Sequence, residues 1–387
     1  MAPVALSFGV LAATGHVSDV GLVLAASSLP MVCLLLLGGV VADAVPRRLL
    51  LVFSHALAGL AQLATALWFL TGLDSVPLLA AFGALGGVAS AFTGPALRGL
   101  IVDLMPAEAL GRGNAARTAS RNVTRMLGPG LGGVLVGITG AGWVLALGAA
   151  CLLAAAAILA TLPGAPRTGP DAHRMGGPRR VVQDLRDGWH EFASRRWLWT
   201  ASSGFLVLNV LIGGIWLVLG PVLALHSIGA AGWGVVLGAR ATGQVIGGLL
   251  AYRWRIERPL LGVLLAPLPY AAVFVAIGAG AGLPILLACA GVAGVGSALS
   301  DVQWETTIQR QVPSAAISRV SSLDMMLSFA SVPVGQMTAP AFAAAFGAPA
   351  VAMAGGALCV FALTLPLLSR EVRGLRTSPG SSAVPTP

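Results

Sequence analysis

What most constrains this chain is a succession of apolar runs, each too long and continuous for the core of a water-soluble domain. Eleven of them, at about 19–42, 47–71, 76–104, 113–138, 141–162, 197–222, 230–252, 258–279, 283–308, 314–345 and 347–368, can cross ~30 Å of hydrocarbon at about 1.5 Å per helical residue. Only 10% of the 387 residues are charged, against roughly 25% in a soluble domain, so no water-facing surface can be covered. With 57% hydrophobic residues and a mean hydropathy of +0.88, disordered, collagen-like and nucleic-acid-binding classes fail together. No ten-residue strand pattern of alternating polarity is present, which excludes an outer-membrane barrel. The chain reads as an all-α integral membrane protein.

A twelfth run, 2–13, covers only about half a bilayer. It lacks a basic prefix and a small-residue cleavage site, so it is a poor signal peptide. We read it as the second half of a first transmembrane helix, its start lost to a misplaced initiation codon or a boundary of the expressed chain. The four cysteines, Cys33, Cys151, Cys289 and Cys359, lie singly inside apolar runs, which argues against disulfides or a metal site and for buried free thiols.

The basic residues are 23 arginines with no lysine. They gather on alternate loops: Arg47 and Arg48, Arg112 and Arg117, Arg167 through Arg196, Arg253 to Arg258, Arg310 and Arg319, and the tail from Arg370. The intervening loops, around His16, Asp74, Gly140, His226, Gly280 and Gly347, hold none. The positive-inside rule then puts both termini in the cytoplasm and the protein in the plasma (inner) membrane.

One stretch, 163–196, breaks the hydrophobic pattern. It opens as a Pro/Gly-rich linker, and from Arg179 the spacing of Val181, Leu185, Trp189 and Phe192 predicts an amphipathic helix on the inner membrane face. The expected organisation is a six-helix half over 1–162, the linker over 163–196, a second six-helix half over 197–369, and a disordered cytoplasmic tail over 370–387. A shift of 207 positions aligns Leu79 onward with Leu286 onward without a gap, matching Gly87 with Gly294, Pro106 with Pro313, Arg112 with Arg319 and Gly128 with Gly335. Two such halves are the pseudo-symmetric architecture of a twelve-helix transporter with a midplane site.

The loop between the second and third runs reads GGVVADAVPRR at 38–48. It resembles the signature Gly-x-x-x-Asp-Arg-x-Gly-Arg-Arg of the major facilitator superfamily, with Gly39, Asp43, Arg47 and Arg48 on matching positions and Ala44 and Pro46 departing from it. The fifth run carries LGPGLGG at 127–133, similar to the Gly-Pro-x-x-Gly-Gly of the exporter branch. Longer phrases at 91–115 and 309–322 resemble the subgroup containing macrolide and siderophore exporters. The resemblance implies two halves rocking about a central cavity. It implies that Asp43 latches an inner gate against a neighbouring helix end, and that Gly128, Pro129, Gly132 and Gly133 shape the seam between halves and favour export. Plain close packing explains those glycines equally well.

An ionised side chain at mid-membrane costs about 2.5–3.5 kcal/mol on insertion scales, so each one needs a reason. Arg240, the deepest, either binds an anionic group in the cavity or pairs with a carboxylate. Arg125 can reach the cavity, whereas Arg121 is placed to snorkel. Asp301, Glu305 and Asp324 are candidate proton-coupling sites, because leaving water favours a carboxylate's neutral form; inner-rim salt bridges are the alternative. Trp216, Trp233 and Trp304 read as interface or packing residues. No Walker loop, His-Glu-x-x-His, Gly-x-Ser-x-Gly or Cys/His cluster occurs, so the sequence suggests neither ATP coupling nor an enzyme, and it calls for no cofactor or metal.

These features predict a monomeric, proton-coupled exporter of a small amphiphilic compound such as a drug, macrolide-like molecule or siderophore. An importer of a small metabolite, with Arg240 as carboxylate clamp, is the runner-up. A truncated or non-transporting accessory membrane protein is the third reading.

Overall fold

In the computed structural model, the described residues are 2–104, 110–162, 189–253, 258–312 and 314–375, with some side chains inside them left undescribed. Six helices form the first half: α1 Ala2–Thr14, α2 Val17–Ala44, α3 Arg47–Thr71, α4 Val76–Leu104, α5 Leu110–Thr139 and α6 Ala141–Thr161. The seventh span is continuous over Arg196–Ser227. It runs as α7 Arg196–Leu211, a π-helical stretch Ile212–Leu219 and α8 Gly220–Ser227. Then follow α9 Gly229–Arg253, α10 Pro259–Leu265, α11 Pro269–Gly278, α12 Leu283–Gln311, α13 Ser314–Phe346, α14 Ala348–Thr364, a 3₁₀ turn Leu365–Leu368 and a short α15 Arg370–Gly374. Among the described residues nine helical segments are long and apolar enough to cross a membrane; α5 and α13 occupy the other two expected runs.

The repeat read from sequence reappears in the helix boundaries. Moved by 207 positions, Val76–Leu104 becomes Leu283–Gln311, the limits of α4 and α12. The same shift carries the end of α5 onto the end of α13, and Ala141–Thr161 onto Ala348–Leu368. The ninth span, expected as one run over 258–279, is one candidate span over Pro259–Gly278 but not one continuous helix. It breaks between α10 and α11, where the sequence is Leu-Ala-Pro-Leu-Pro. Prolines two apart each lack an amide donor and each crowd the preceding turn, which a continuous helix does not accommodate.

Among the described residues, the left-handed glycines, with φ between +65° and +84°, sit in turns on one face: Gly15, Gly72, Gly140, Gly229, Gly280 and Gly347. This is the arginine-free face. A residue with a Cβ pays a steric penalty there, so glycine ends each helix and reverses the chain within a few residues.

Among the described residues the outer surface carries a broad apolar belt: Ile138, Leu249 and Phe346 are each more than 65% exposed within the protein. Only lipid covers such a belt, which defines a multi-pass membrane protein. This also corrects the cysteine expectation. Cys359 is buried, but Cys33 and Cys151 face outward, since a thiol on a lipid-facing surface needs no protein cover. In the linker, 189–194 is helical; Trp189 stacks on Phe192 at 6.2 Å and Phe192 is buried, while Val181, Leu185 and the rest of the expected amphipathic helix lie outside the described residues.

Candidate functional site

The halves meet along two seams. In the first, α5 packs against α9 through small residues: a methyl on Gly133 would overlap the Gly234 Cα, and one on Gly234 would lie 2.8 Å from the Val134 nitrogen. Gly137 faces Ala231, and Gly130 faces Gly234 and Gly238, on the same line. In the second, α2 packs on α13, where Gly21 lies under Pro340 and the Ser28 hydroxyl donates to Gln336 Oε1 at 2.6 Å. A third contact runs from the Ser7 hydroxyl to the Leu217 carbonyl at 3.2 Å. All lie in the helix portions nearest the glycine turns, so the halves are closed together at that end.

Of the seam residues expected from sequence, Gly133 makes the close approach. Gly128 and Gly132 are buried and Pro129 is half-buried within α5. Helix α5 has its chief partner in the other half rather than in its own, which backbone-to-backbone contact permits.

Arg240 lies near the middle of α9. Its backbone is fixed by α12: side chains at Gly243 or Gly294 would run into the facing backbone, and the Gly294 position abuts the Arg240 carbonyl. Its Nε donates to the Tyr270 hydroxyl at 2.7 Å. Its guanidinium carbon stands 5.6 Å from the ring centroids of both Tyr270 and Trp216. Trp216 in turn packs on Trp233 at 4.8 Å, and all three rings are buried. No carboxylate lies within ion-pair distance of Arg240 among the described residues. Cation–π contact replaces part of the lost hydration. The remaining donors of a group built for bidentate anion recognition stay available.

Trp216 reaches this place because it sits in the π-helical stretch. Gly213 and Gly214 press that stretch against Val332, Gly335 and Ala339 of α13, and the wider turn rotates the tryptophan relative to a regular helix. The sequence signal for this placement is GGIW at 213–216, two glycines just ahead of a large ring.

Asp324 forms a second centre toward the opposite end of the same half. Its Oδ1 accepts from the Ser202 hydroxyl at 3.0 Å and its Oδ2 from Trp304 Nε1 at 2.9 Å. Trp304 is held edge-on by Trp197 and Phe205. Both partners are neutral donors, so the inner-rim salt bridge expected for Asp324 is not what holds it. Glu305 is exposed and accepts from Gln309 at 3.1 Å; Asp301 is likewise on the exterior.

At the signature loop, Arg48 Nε donates to the Leu159 carbonyl at 3.1 Å and its Nη2 to that of Ala160. The guanidinium thereby satisfies the end of α6, at the negative pole of that helix. Gly39, Asp43 and Arg125 lie in described helices, but the surroundings of Gly39 and the side chains of Asp43 and Arg125 fall outside the described residues.

A two-half helical bundle with small-residue seams and isolated charges inside one half is the build of an alternating-access membrane transporter. The chain belongs to the major facilitator superfamily, whose family model matches residues 1–330. It is a secondary transporter of a small molecule, not an enzyme. It is 26% identical over 379 residues to the enterobactin exporter EntS of Citrobacter koseri, covering 93% of this chain and 86% of the relative. The Shigella flexneri enterobactin exporter EntS is similar at 25% identity over 357 residues, 89% of this chain and 82% of the relative. Among solved structures, the nucleoside transporter NupG superposes with a TM-score of 0.75 at 13% identity, covering 94% of this chain and 93% of that one. The inward-open xylose transporter XylE from E. coli gives 0.68 at 15%, covering 98% and 94%. The structural likenesses establish the fold.

Proposed function

We propose that this protein is a proton-coupled exporter of the inner membrane that carries a small amphiphilic anion, of the siderophore class, out of the cytoplasm. The observation that carries the reading is the half-buried Arg240, set against the buried rings of Trp216 and Tyr270 and without a carboxylate partner among the described residues. Holding a half-buried guanidinium within the membrane span without an anion is costly, and an anionic substrate with apolar bulk supplies both the charge and the surface these rings ask for. The likeness to enterobactin exporters over most of the chain supports export and makes enterobactin the first compound to try.

In this mechanism Arg240 and its rings hold substrate between the halves. Asp324, in a pocket of neutral donors, takes up and releases the proton that drives return. The seams at Gly133 and Ser28 part when the cavity turns toward the glycine-turn face. Gly39, Asp43, Arg47 and Arg48 act at the opposite gate; Arg125, Asp301 and Glu305 stand as further charge-carrying candidates. Both termini are cytoplasmic, and the working unit is a monomer.

The test is transport into inside-out vesicles with an imposed proton gradient. Gradient-driven accumulation of enterobactin that vanishes in Arg240→Ala supports the reading. Failure to move any such compound in either direction sinks the coupling claim. Uptake running only inward would instead favour an anion importer built on the same arginine.

A further inference from the structure

Where the seventh span begins and the last one ends, at one membrane face, a cleft of about 360 Å³ opens between Arg196, Trp199, Thr200, Ser369, Arg370 and Glu371. That volume is at the small end of ligand sites. The two arginines and the glutamate that border it make no ion pair among the described residues. The adjacent Arg195, by contrast, is neutralised by Glu191 at 2.6 Å. Three charges around one cleft, unpaired with each other, are arranged for something that carries both signs.

The walls are fixed. Val372 is fully buried and anchors α15 against α7 and α10, and the Arg373 Nη2 donates back to the Leu368 carbonyl at 3.4 Å. On the lipid side Trp199 is 46% and Leu368 72% exposed. An indole at this depth marks the headgroup level, and the leucine lies where an acyl chain would descend.

We propose that this cleft binds the headgroup of a primary-amine phospholipid from the leaflet on the linker side. Arg196 and Arg370 take its phosphate, helped by the Thr200 and Ser369 hydroxyls, and Glu371 takes its ammonium. Guanidinium groups suit phosphate, and an unpaired carboxylate beside them disfavours a purely anionic headgroup while rewarding an amine. The site stands apart from the transport path and does not depend on what is carried.

The experiment is native mass spectrometry of the delipidated full chain titrated with phosphatidylethanolamine, phosphatidylcholine and phosphatidylglycerol. The wild type should retain phosphatidylethanolamine several-fold over the other two. Removing both arginines (R196A/R370A) should weaken retention of all three, by roughly fivefold per arginine. The E371Q variant should keep phosphate binding but lose the amine preference. Equal retention by wild type and double variant, or an unchanged preference in E371Q, overturns the proposal. Displacement by soluble glycerophosphoethanolamine at the same concentration would also overturn it, by assigning the site to a free phosphate ester.

Discussion

The Arg240 Nε donates to the Tyr270 hydroxyl at 2.7 Å, joining the middle of one membrane helix to the residue just after the proline break in the next. This bond holds the guanidinium between two rings and leaves its outer nitrogens for a ligand.

Removing the tyrosine hydroxyl therefore separates orientation from charge. Tyr270→Phe should cost about 1.5–3 kcal/mol of that interaction, read as a rise of roughly tenfold or more in KM for an anionic substrate, with the protein still inserted and folded. Arg240→Lys should fare worse, because an ammonium has neither the fork geometry nor the planar face. A Lys variant with unchanged kinetics would show that only point charge matters at this position.

The seam at Gly133 and Gly234 predicts a bias in conformation. Gly133→Leu puts a side chain into the Gly234 backbone, and the described closed arrangement cannot accept it. Spin labels at Thr139 and His226, on the glycine-turn face, should report a longer and broader distance in the variant than in the parent. Transport should fall by more than tenfold. An unaltered distance distribution would mean that the seam does not control that gate.

The Ser28–Gln336 bond is another latch at the same end. A double-mutant cycle with Ser28→Ala and Gln336→Ala should return a coupling of about 0.5–1.5 kcal/mol. It is best measured as the shift in accessibility of a reporter cysteine in α2 from the glycine-turn face. Additive effects of the two changes would deny the bond any part in closure.

Asp324 is the proposed proton site, so Asp324→Asn should uncouple rather than inactivate. Gradient-driven transport is expected to drop by at least tenfold while substrate exchange at equal pH survives. If Glu305→Gln has that effect and Asp324→Asn does not, the coupling carboxylate is the exposed one.

The repeat was legible because it lives in the spacing of helix ends. Val76–Leu104 and Leu283–Gln311 are the same element by chain arithmetic, and apolar length and turn glycines fix such limits locally. Arg240 also stood out, since a charge within an apolar run is visible without coordinates. Its partners were not visible. Tyr270 lies thirty positions away beyond a loop, and Trp216 faces it only because Ile212–Leu219 winds as a π-helix, a choice made by contact with α13. The same holds for Ser202 and Trp304 around Asp324, three residues from three helices. Arg48 looked like part of a basic loop, yet it caps α6, a role decided by where that helix ends in space.

The six left-handed glycines have a consequence beyond folding. With chain reversals this tight at Gly15, Gly72, Gly140, Gly229, Gly280 and Gly347, one side of the molecule offers almost nothing that stands clear of the bilayer. A protease, an antibody or a membrane-impermeant label arriving from that compartment meets stubs of a few residues. The opposite side, with its linker and arginine-bearing loops, gives such agents far more to cut or grasp. Recognition of this protein by other macromolecules is thus confined almost wholly to a single compartment.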